Sequence, residues 1–250
     1  MRVVYDKLGT TYSTTRQPDP RITARIFNAL GDAASVVNVG AGTGSYEPHD
    51  RKVVAVEPSA VMIRQRDRDA APAIQASAEA LPFADTTFDV ALAVLTVHHW
   101  HNWRKGITEM RRVAARRIVI LTWDLTIWES FWLIREYLPC IGEIDRARAV
   151  AIAEIIAALG RAEIVPVPIP YDCQDGFHGA YWRRPQAYLD PAVRAGISTY
   201  ALMSATERDA GLGRLAQDLE NGVWENRHKD LLNLGEIDLG YRLIVADSDS

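Results

Sequence analysis

The sequence lacks several features that would assign it to a specialised class of protein. Cysteine occurs only as Cys140 and Cys173, which is too few for a disulfide framework or a cluster of thiolate metal ligands. No run of about 18 apolar residues is present, as a membrane-spanning helix would need. The N-terminus has no apolar segment typical of a signal peptide. We therefore predict a cytoplasmic protein without a membrane partner.

Positive charge is not in excess either. The 28 lysines and arginines are outnumbered by 32 aspartates and glutamates, which gives a net charge of −4. The chain therefore has no general basic field that would attract nucleic acid, and we expect no nucleic-acid partner. One short segment is rich in arginine, and we interpret its side chains as solvated charges near a helix end. They are Arg111, Arg112, Arg116 and Arg117.

What the chain does have is enough apolar content for one folded domain. Its 250 residues are 48% hydrophobic, and α/β domains of this length are commonly single. Short apolar runs at 36–39, 53–56, 90–95 and 118–123 alternate with segments of helical periodicity. Continuous apolar strands of this kind are typical of a parallel sheet covered on both faces by helices. The sequence therefore predicts a single α/β domain over residues 1–250.

Three glycines follow the first of these strands. Residues 37–44 read Val-Asn-Val-Gly-Ala-Gly-Thr-Gly, and the second strand ends in Glu57. In α/β folds such a loop lets the backbone approach a nucleoside, and the acid accepts hydrogen bonds from the ribose. A dinucleotide fingerprint requires a third glycine where Ser45 stands, and Pro48 leaves little room for a phosphate-facing helix. The pattern predicts a nucleoside ligand and disfavours an NAD(P)-dependent oxidoreductase.

Further segments follow this loop in an order that is found in a known family. Residues 75–103 contain Ser-Ala-Glu at 77–79, an apolar strand and a histidine-rich exit from that strand, and Tyr12 and Arg16 precede the loop. Together these segments resemble the class I S-adenosylmethionine-dependent methyltransferases, in particular small-molecule enzymes related to the quinone-pathway C-methyltransferases. The resemblance covers about residues 1–123.

The resemblance implies a Rossmann-like fold and a reaction. The fold would be a seven-stranded, mostly parallel sheet with helices on both faces, closed by strands at 164–167 and 241–246, and residues 1–123 would form the cofactor-binding half. The cofactor would be S-adenosyl-L-methionine, with methyl transfer to oxygen, carbon or nitrogen of a small organic molecule of aromatic or apolar character. A non-catalytic protein that binds the nucleoside cofactor remains the alternative. RNA methylation, which exists among relatives, is disfavoured by the acidic charge balance.

The resemblance also implies which residues contact the cofactor. The glycine loop would approach the methionine and ribose, Glu57 would accept from the ribose hydroxyls, and residues 77–79 would border the adenine. The end of the fourth strand would supply backbone contacts to the methionine end, whose carboxylate would pair with Arg16. The predicted cofactor-binding residues are Tyr12, Arg16, Gly40, Ala41, Gly42, Gly44, Glu57, Pro58, Met62, Ser77, Ala78, Glu79, Leu95 and Thr96.

Three histidines, His98, His99 and His101, stand at the exit from the fourth strand. Metal ligation needs converging rings and usually a further Asp, Glu or Cys ligand. Neighbouring residues that leave a strand are expected to point in different directions, so we predict no metal site. His98 or His99 could act as the catalytic base, could line the cofactor pocket, or could pack in the core. The sequence leaves these alternatives open.

The second half of the chain is rich in aromatic residues. Residues 125–145 and 168–235 contain Trp128, Trp132 and Trp182, and a helix is expected over 146–159. Residues 168–235 would be an insertion between the two closing strands, near the carboxyl ends of the sheet, where α/β folds bind ligands. We interpret both segments as a helical substrate cover and the three tryptophans as substrate-contacting residues, with a core role as the alternative. The sequence identifies neither the methyl acceptor nor the oligomeric state.

Overall fold

The structure is a computed structural model that describes residues 16–248, and the predicted contact residue Tyr12 lies outside this range. Within the described part of the chain there are nine strands, seven of which form one sheet. In chain order they are β1 (Ser35–Val39), β2 (Lys52–Val56), β3 (Ala73–Ile74), β4 (Phe88–Val94), β5 (Ala114–Trp123), β6 (Glu163–Pro166), β7 (Ile169–Pro170), β8 (Glu236–Ile237) and β9 (Tyr241–Asp247).

The seven-stranded sheet has the order β3-β2-β1-β4-β5-β9-β6. The first five strands in this order, β3, β2, β1, β4 and β5, are parallel to one another. Strand β9 lies between β5 and β6 and is antiparallel to both. Ile244 of β9 stands opposite Ile120 on one side and Ile164 on the other. The closing strand pair and the mostly parallel seven-stranded sheet that the resemblance implied are thereby confirmed. The short strands β7 and β8 pair with each other in a separate two-stranded sheet.

The helices of the described residues lie before, between and after these strands. They are α1 (Pro20–Leu30), α2 (Ala60–Arg64), α3 (Trp103–Val113), α4 (Leu125–Trp128), α5 (Cys140–Arg148), α6 (Ile152–Leu159), α7 (Pro191–Ala195), α8 (Ala205–Glu220) and α9 (Val223–Arg227). Short single-turn helices occupy Val97–His99, Leu133–Tyr137, His178–Tyr181, Pro185–Leu189, Ser198–Leu202 and Leu231–Asn233.

Helix α1 shows how local sequence sets an element and its orientation. The Asp19 side chain accepts a hydrogen bond from the Arg21 amide at 2.9 Å, and Pro20 occupies the first helical position. Both residues favour a helix start, because the cap satisfies a free amide and proline has none to satisfy. The helix ends at Gly31, whose φ of +63° favours glycine. The apolar side chains on one face of the helix are buried, and the helix packs against β5 and β9.

Both faces of the large sheet are buried, which explains the continuous apolar runs in the sequence. Along β1, Val36 packs in the hydrophobic cluster that contains α1, whereas Val37 and Val39 pack in the cluster that contains α3 and α6. This alternation follows from the two-residue period of a strand. The aromatic residues of the second half of the chain belong to the same cluster as α1.

The single helix expected over 146–159 is wrong, because the chain is interrupted between α5 and α6. Ala149 has an extended backbone with ψ of 147°. Arg148 is hydrogen-bonded to Asp145 and Thr199 on the side of the cover segments, whereas Val150 is buried in the cluster on the opposite face of the sheet. The chain therefore changes faces at this point. Neither glycine nor proline marks the break, and tertiary contacts decide it.

Candidate functional site

A cavity lies at the carboxyl ends of β1, β2 and β4. Its lining comes from the glycine loop after β1, the turn after β2, residues 77–79 and the segment after β4. Because parallel strands end at the same edge of the sheet, segments distant in sequence meet there. The lining residues are Arg16, Asn38, Gly40, Ala41, Gly42, Thr43, Ser45, Tyr46, Glu57, Pro58, Met62, Ser77, Ala78, Glu79, Val94, Leu95, Thr96, His99, Trp100 and His101.

The glycine loop brings backbone against the end of β4. Gly40 has a φ of +73°, and a Cβ atom built on it would lie 2.1 Å from the Thr96 hydroxyl oxygen. Any side chain at this position would therefore collide with Thr96. After Gly44 the chain continues to β2 through turns, with no helix between residues 40 and 51. A helix N-terminus facing a pyrophosphate, as a dinucleotide site requires, is thus absent from this described loop.

Glu57 is held in the cavity wall by two backbone amides. One carboxylate oxygen accepts from the Gly42 amide at 2.9 Å, and the other accepts from the Ser59 amide at 2.8 Å. The side chain is only 5% exposed. A carboxylate oxygen can accept more than one hydrogen bond. Glu57 can therefore accept from a vicinal diol while the two amides fix its orientation.

The segment that was predicted to border an adenine also lies in this wall. Glu79 accepts a hydrogen bond from the Asn102 amide at 3.0 Å. Burial raises the pKa of Glu79, but hydrogen bonds from the Asn102 amide and the Ser77 hydroxyl outweigh it, and the pKa lies below its usual value. The carboxylate of Glu79 is therefore ionised at neutral pH and fixes the orientation of the Ser77 hydroxyl.

A smaller cavity adjoins the large one, and the two share Arg16, Leu95 and His99 in their linings. The remaining walls come from the ends of β4, β5 and β9 and from both predicted cover segments. They consist of His98, Trp123, Trp128, Asp145, Arg148, Phe177, His178, Gly196, Ile197, Ser198, Thr199 and Tyr241. A ligand in the small cavity would therefore lie next to a ligand in the large one.

The charged side chains around the small cavity are paired with each other. Asp145, which is buried, accepts from the Trp128 indole at 2.8 Å and from the Arg148 guanidinium at 2.8 Å. Arg16 donates to the fully buried Asp175 at 2.6 Å, and Asp175 also accepts from the Tyr46 hydroxyl at 2.8 Å. Each guanidinium therefore has a buried carboxylate as its partner.

The rings of His98 and His99 lie together, with centroids 3.7 Å apart, and His98 also contacts Trp123. The expectation that neighbouring side chains point apart is wrong here. The chain leaves β4 through Leu95, whose φ is +49°, and enters a short turn rather than continuing as an extended strand. Burial lowers the pKa of both imidazoles, that of His99 to about 3, and nearby Arg148 adds to the effect. Both rings are therefore neutral at neutral pH.

Comparison with known proteins places this geometry in a family. A family model described as a methyltransferase domain matches residues 37–119. The crystal structure of a protein described as a methyltransferase from an antibiotic biosynthesis pathway of Anabaena variabilis is 36% identical, with a TM-score of 0.87 over 93% of this chain and 98% of that chain. The geranyl diphosphate C-methyltransferase of Streptomyces coelicolor, solved with S-adenosyl-L-homocysteine, shares the fold at 15% identity and a TM-score of 0.52, over 91% of this chain and 78% of that chain. The chain belongs to the S-adenosylmethionine-dependent methyltransferase family.

Matches among curated relatives are shorter. The tRNA (carboxymethyluridine(34)-5-O)-methyltransferase of Schizosaccharomyces pombe is 23% identical over 111 residues, which is 44% of this chain and 49% of that protein. The chain spans about half the length of the curated relatives it matches, 55% and 49%.

The large cavity of this methyltransferase fits S-adenosylmethionine, the cofactor of the family. The tight approach of Gly40 to Thr96 leaves bare backbone at the cavity wall, and Glu57 offers a fixed acceptor for a ribose diol. The predicted cofactor is confirmed. Of the predicted contact residues within the described range, all but Gly44 line this cavity.

Gly44 has a different role from the one predicted. A Cβ atom there would lie 3.2 Å from the side chains of Arg66 and Glu47, which form a buried ion pair at 2.6 Å. Its φ of +98° also favours glycine. Gly44 therefore lets the loop pack against this ion pair and does not line the cofactor cavity.

The structure separates the three tryptophans that were expected to contact substrate. Trp128 lines the small cavity, but Trp132 and Trp182 line neither cavity. The Trp132 indole donates to the Trp182 carbonyl at 2.9 Å, and the Trp182 indole donates to the Ile169 carbonyl at 3.0 Å. Both side chains are buried, Trp182 completely. Trp132 and Trp182 are therefore core residues, as the alternative interpretation had it.

Several residues that line the two cavities could not be predicted from the sequence. Asp145, His178 and Thr199 come from the cover segments, and Tyr46 meets Asp175 across 129 positions. None of them belongs to a motif with a fixed spacing. For His178 the sequence offers one signal, which is a single imidazole within an aromatic-rich segment.

Between residues 16 and 248 no group of three or more His, Cys, Asp or Glu side chains is arranged to hold a metal ion. No helix in that part of the chain combines the length and apolarity that crossing a membrane requires.

Proposed function

We propose that this protein transfers a methyl group from S-adenosylmethionine to a small organic molecule bound in the small cavity. The observation that carries the proposal is the junction of the two cavities at Leu95 and His99. One cavity has the backbone cradle and carboxylate that suit the cofactor, and the other has aromatic walls. A methyl donor and an acceptor bound side by side satisfy the geometric requirement of direct transfer.

In this reaction the protein binds the two reactants, aligns them with each other and excludes water from the space between them. S-adenosylmethionine supplies a methyl group that its sulfonium already activates. Glu57 accepts from the ribose hydroxyls, residues 77–79 border the adenine, and Leu95 and Thr96 offer backbone to the methionine end. Arg16, which is tied to Asp175 and lines both cavities, closes the region between them. The predicted contact of Tyr12, outside the described residues, remains part of this proposal.

The acceptor is an aromatic or apolar molecule of small size. Trp123, Trp128, Phe177 and Tyr241 form apolar walls of the small cavity, and small-molecule sites are lined mainly by such side chains with a few polar groups among them. Residues 125–145 and 168–235 serve as the cover, since both contribute to these walls. The Anabaena variabilis relative, assigned to an antibiotic biosynthesis pathway, favours a small organic acceptor over a macromolecule.

His98 and His99 form part of the wall in this proposal and do not act as the catalytic base. A base works best when its pKa lies near the working pH. Burial lowers the pKa of His99 to about 3, which is far from neutral pH. The tilted contact between their rings and the contact of His98 with Trp123 support a packing role. Methyl transfer from a sulfonium places little demand on a base when the acceptor is well aligned.

The protein has no nucleic-acid partner in this proposal, and it is located in the cytoplasm. The arginine-rich segment is occupied by contacts within the protein: Arg112 pairs with Glu109, Arg116 with Asp32 and Arg117 with Asp247. These guanidinium groups are less available to phosphates than free surface charges would be. Because one curated relative acts on tRNA, an electrophoretic shift assay with total tRNA tests this part of the proposal, and retention of tRNA would contradict it.

Calorimetric titration with S-adenosylhomocysteine, NAD and NADP tests the proposed function. We expect binding of S-adenosylhomocysteine alone. Replacing Glu57 with Ala removes a charged hydrogen-bonding group and should weaken binding by about 10- to 150-fold. Glu154→Ala, which removes an exposed carboxylate paired with Arg104, is the matched control and should bind like the wild type. Tight binding of NAD with no response to S-adenosylhomocysteine would overturn the proposal.

A further inference from the structure

His178 in the small cavity is a buried imidazole whose ring nitrogens have no hydrogen-bond partner among the described residues. It is 8% exposed and begins the short turn His178–Tyr181. Its ring is surrounded by aromatic rings, with centroids 5.2 Å away at Trp128 and 5.4 Å away at Tyr200. A neutral imidazole offers one donor and one acceptor, so two hydrogen-bonding positions of this side chain are left to be satisfied.

Trp123 supplies a second polar group of the same kind. Its indole Nε1 is buried and has no hydrogen-bond partner among the described residues, and the side chain lines the same cavity. Buried polar groups without partners are few in native proteins, and each calls for an explanation. The Tyr200 hydroxyl is also without a described partner, but Tyr200 does not line the cavity. Two such groups in one cavity wall indicate hydrogen bonds to a ligand.

The charge balance of the cavity restricts that ligand. Arg148 is paired with Asp145, and Arg16 is paired with Asp175. Burial lowers the pKa of His178 to about 4, against the opposing effect of Asp145, so its ring is neutral at neutral pH. A carboxylate or ammonium group on the ligand would lose its hydration without meeting a side chain whose charge is unpaired, which is unfavourable. A neutral molecule meets no such obstacle.

We propose that the small cavity binds a neutral, planar acceptor with at least two polar groups, a hydroxyl that hydrogen-bonds to His178 and an oxygen or nitrogen that accepts from Trp123 Nε1. The edges and faces of Trp128 and Phe177 hold its apolar body. This inference rests on the proposed function, since it assigns the small cavity to the methyl acceptor. His178 is then a residue that binds and orients the acceptor, and no proton transfer to it is part of the proposal.

Three related probes test this with protein saturated with S-adenosylhomocysteine. 4-Hydroxyacetophenone carries both the hydroxyl and an accepting carbonyl, acetophenone lacks the hydroxyl, and 4-hydroxybenzoate adds a negative charge. Dissociation constants are measured by ligand-observed NMR titration at neutral pH. For the wild type we expect 4-hydroxyacetophenone to bind about tenfold more tightly than either of the other two probes.

Substitution of His178 links this preference to the residue. In His178→Phe the affinity for 4-hydroxyacetophenone should fall about tenfold while that for acetophenone is unchanged, so the preference for the hydroxyl disappears. His178→Asn keeps a hydrogen-bonding group and should retain part of the preference. His49→Phe changes an exposed histidine that lines neither cavity, and it should behave like the wild type. If His178→Phe does not fold, His178→Leu, which also lacks a hydrogen-bonding group, replaces it and should lose the preference in the same way.

The outcomes separate this inference from the proposed function. If S-adenosylhomocysteine binds but the wild type shows no preference for the hydroxyl, or the preference survives when His178 is replaced by a side chain without a hydrogen-bonding group, the inference is overturned and the proposed function stands. If none of the probes binds at millimolar concentration, the inference is likewise overturned. If S-adenosylhomocysteine itself fails to bind, the proposed function is overturned, and the inference that rests on it is overturned as well.

Discussion

The two cavities that meet at Leu95 and His99 are built by different means. The large cavity is shaped by backbone: a glycine loop pressed against Thr96, and a carboxylate fixed by two amides. The small cavity is shaped by side chains, among which Asp145 holds the Arg148 guanidinium and the Trp128 indole. Substitution of Gly40 should therefore act on cofactor binding, whereas substitution of Asp145 should act mainly on stability.

The largest expected effect on cofactor affinity is that of Gly40→Ala in the large cavity. The new Cβ atom would lie 2.1 Å from the Thr96 hydroxyl oxygen, and the φ of +73° would be strained for alanine. We expect the affinity for S-adenosylhomocysteine in calorimetry to fall by about 100-fold or more. Gly213→Ala is the matched control, because nothing lies within 4 Å of its Cβ position. Wild-type affinity in Gly40→Ala would mean that the loop is not held against Thr96.

The next effect is that of Asp145→Ala on the small cavity. This change leaves Arg148 and the Trp128 indole without their partner in a buried setting. We expect a loss of about 3–5 kcal/mol in the free energy of unfolding, measured by urea denaturation. Binding of S-adenosylhomocysteine to the folded fraction should change little.

An exposed ion pair provides the control for Asp145. Arg104 and Glu154 are 64% and 50% exposed, and Glu154→Ala should change stability by about 1 kcal/mol or less. If Asp145→Ala abolished cofactor binding while leaving stability intact, the contrast between the two cavities would be wrong.

A pH titration examines the buried histidines of the small cavity. Burial lowers the pKa of His178 from 6.5 to about 4 and that of His99 to about 3. The unfolded chain therefore binds more protons than the folded protein between about pH 6.5 and about pH 4, and stability falls as the pH is lowered through this window. We expect a loss of the order of 1–3 kcal/mol, followed by urea denaturation at each pH.

The control for this titration is His178→Phe, whose stability should depend less on pH in the same window. Asp19, with a pKa lowered to about 2, loses its contribution only below its ordinary value of 3.8, so its effect is separable. A stability that stays flat between about pH 6.5 and about pH 4.5 would show that the imidazoles are not buried in solution.

The smallest expected effect is that of Ser77→Ala in the large cavity. The Ser77 hydroxyl donates to Glu79 and has lone pairs left to accept from an adenine amine. Loss of one neutral hydrogen bond should weaken binding of S-adenosylhomocysteine by about two- to tenfold. Ser130→Ala, at a hydroxyl that donates to the Ile127 carbonyl away from both cavities, should have no effect. A hundredfold loss in Ser77→Ala would show that this residue contributes as much as Glu57.

The sequence by itself determined the sheet and the cofactor side of the site. Continuous apolar runs indicated the strands, and the spacing of the glycines and Glu57 indicated a nucleoside site. Asp19, Pro20 and Gly31 fix both ends of helix α1. These features depend on local backbone conformation, which a few residue types control directly. For this reason they can be predicted from residues that are close together in the sequence.

Only the tertiary structure decided the lining of the small cavity. The sequence does not distinguish the roles of Trp128, Trp132 and Trp182. Of these three, Trp128 lines the small cavity. The indoles of the other two donate to backbone carbonyls in the core. Gly44 looked like its neighbours in the loop and proved to accommodate the Arg66–Glu47 pair. His178 and Asp145 come together from separate segments, and the break after Arg148 carries no sequence signal. Side-chain packing over long sequence separations has no fixed spacing, so the chain must fold before these roles exist.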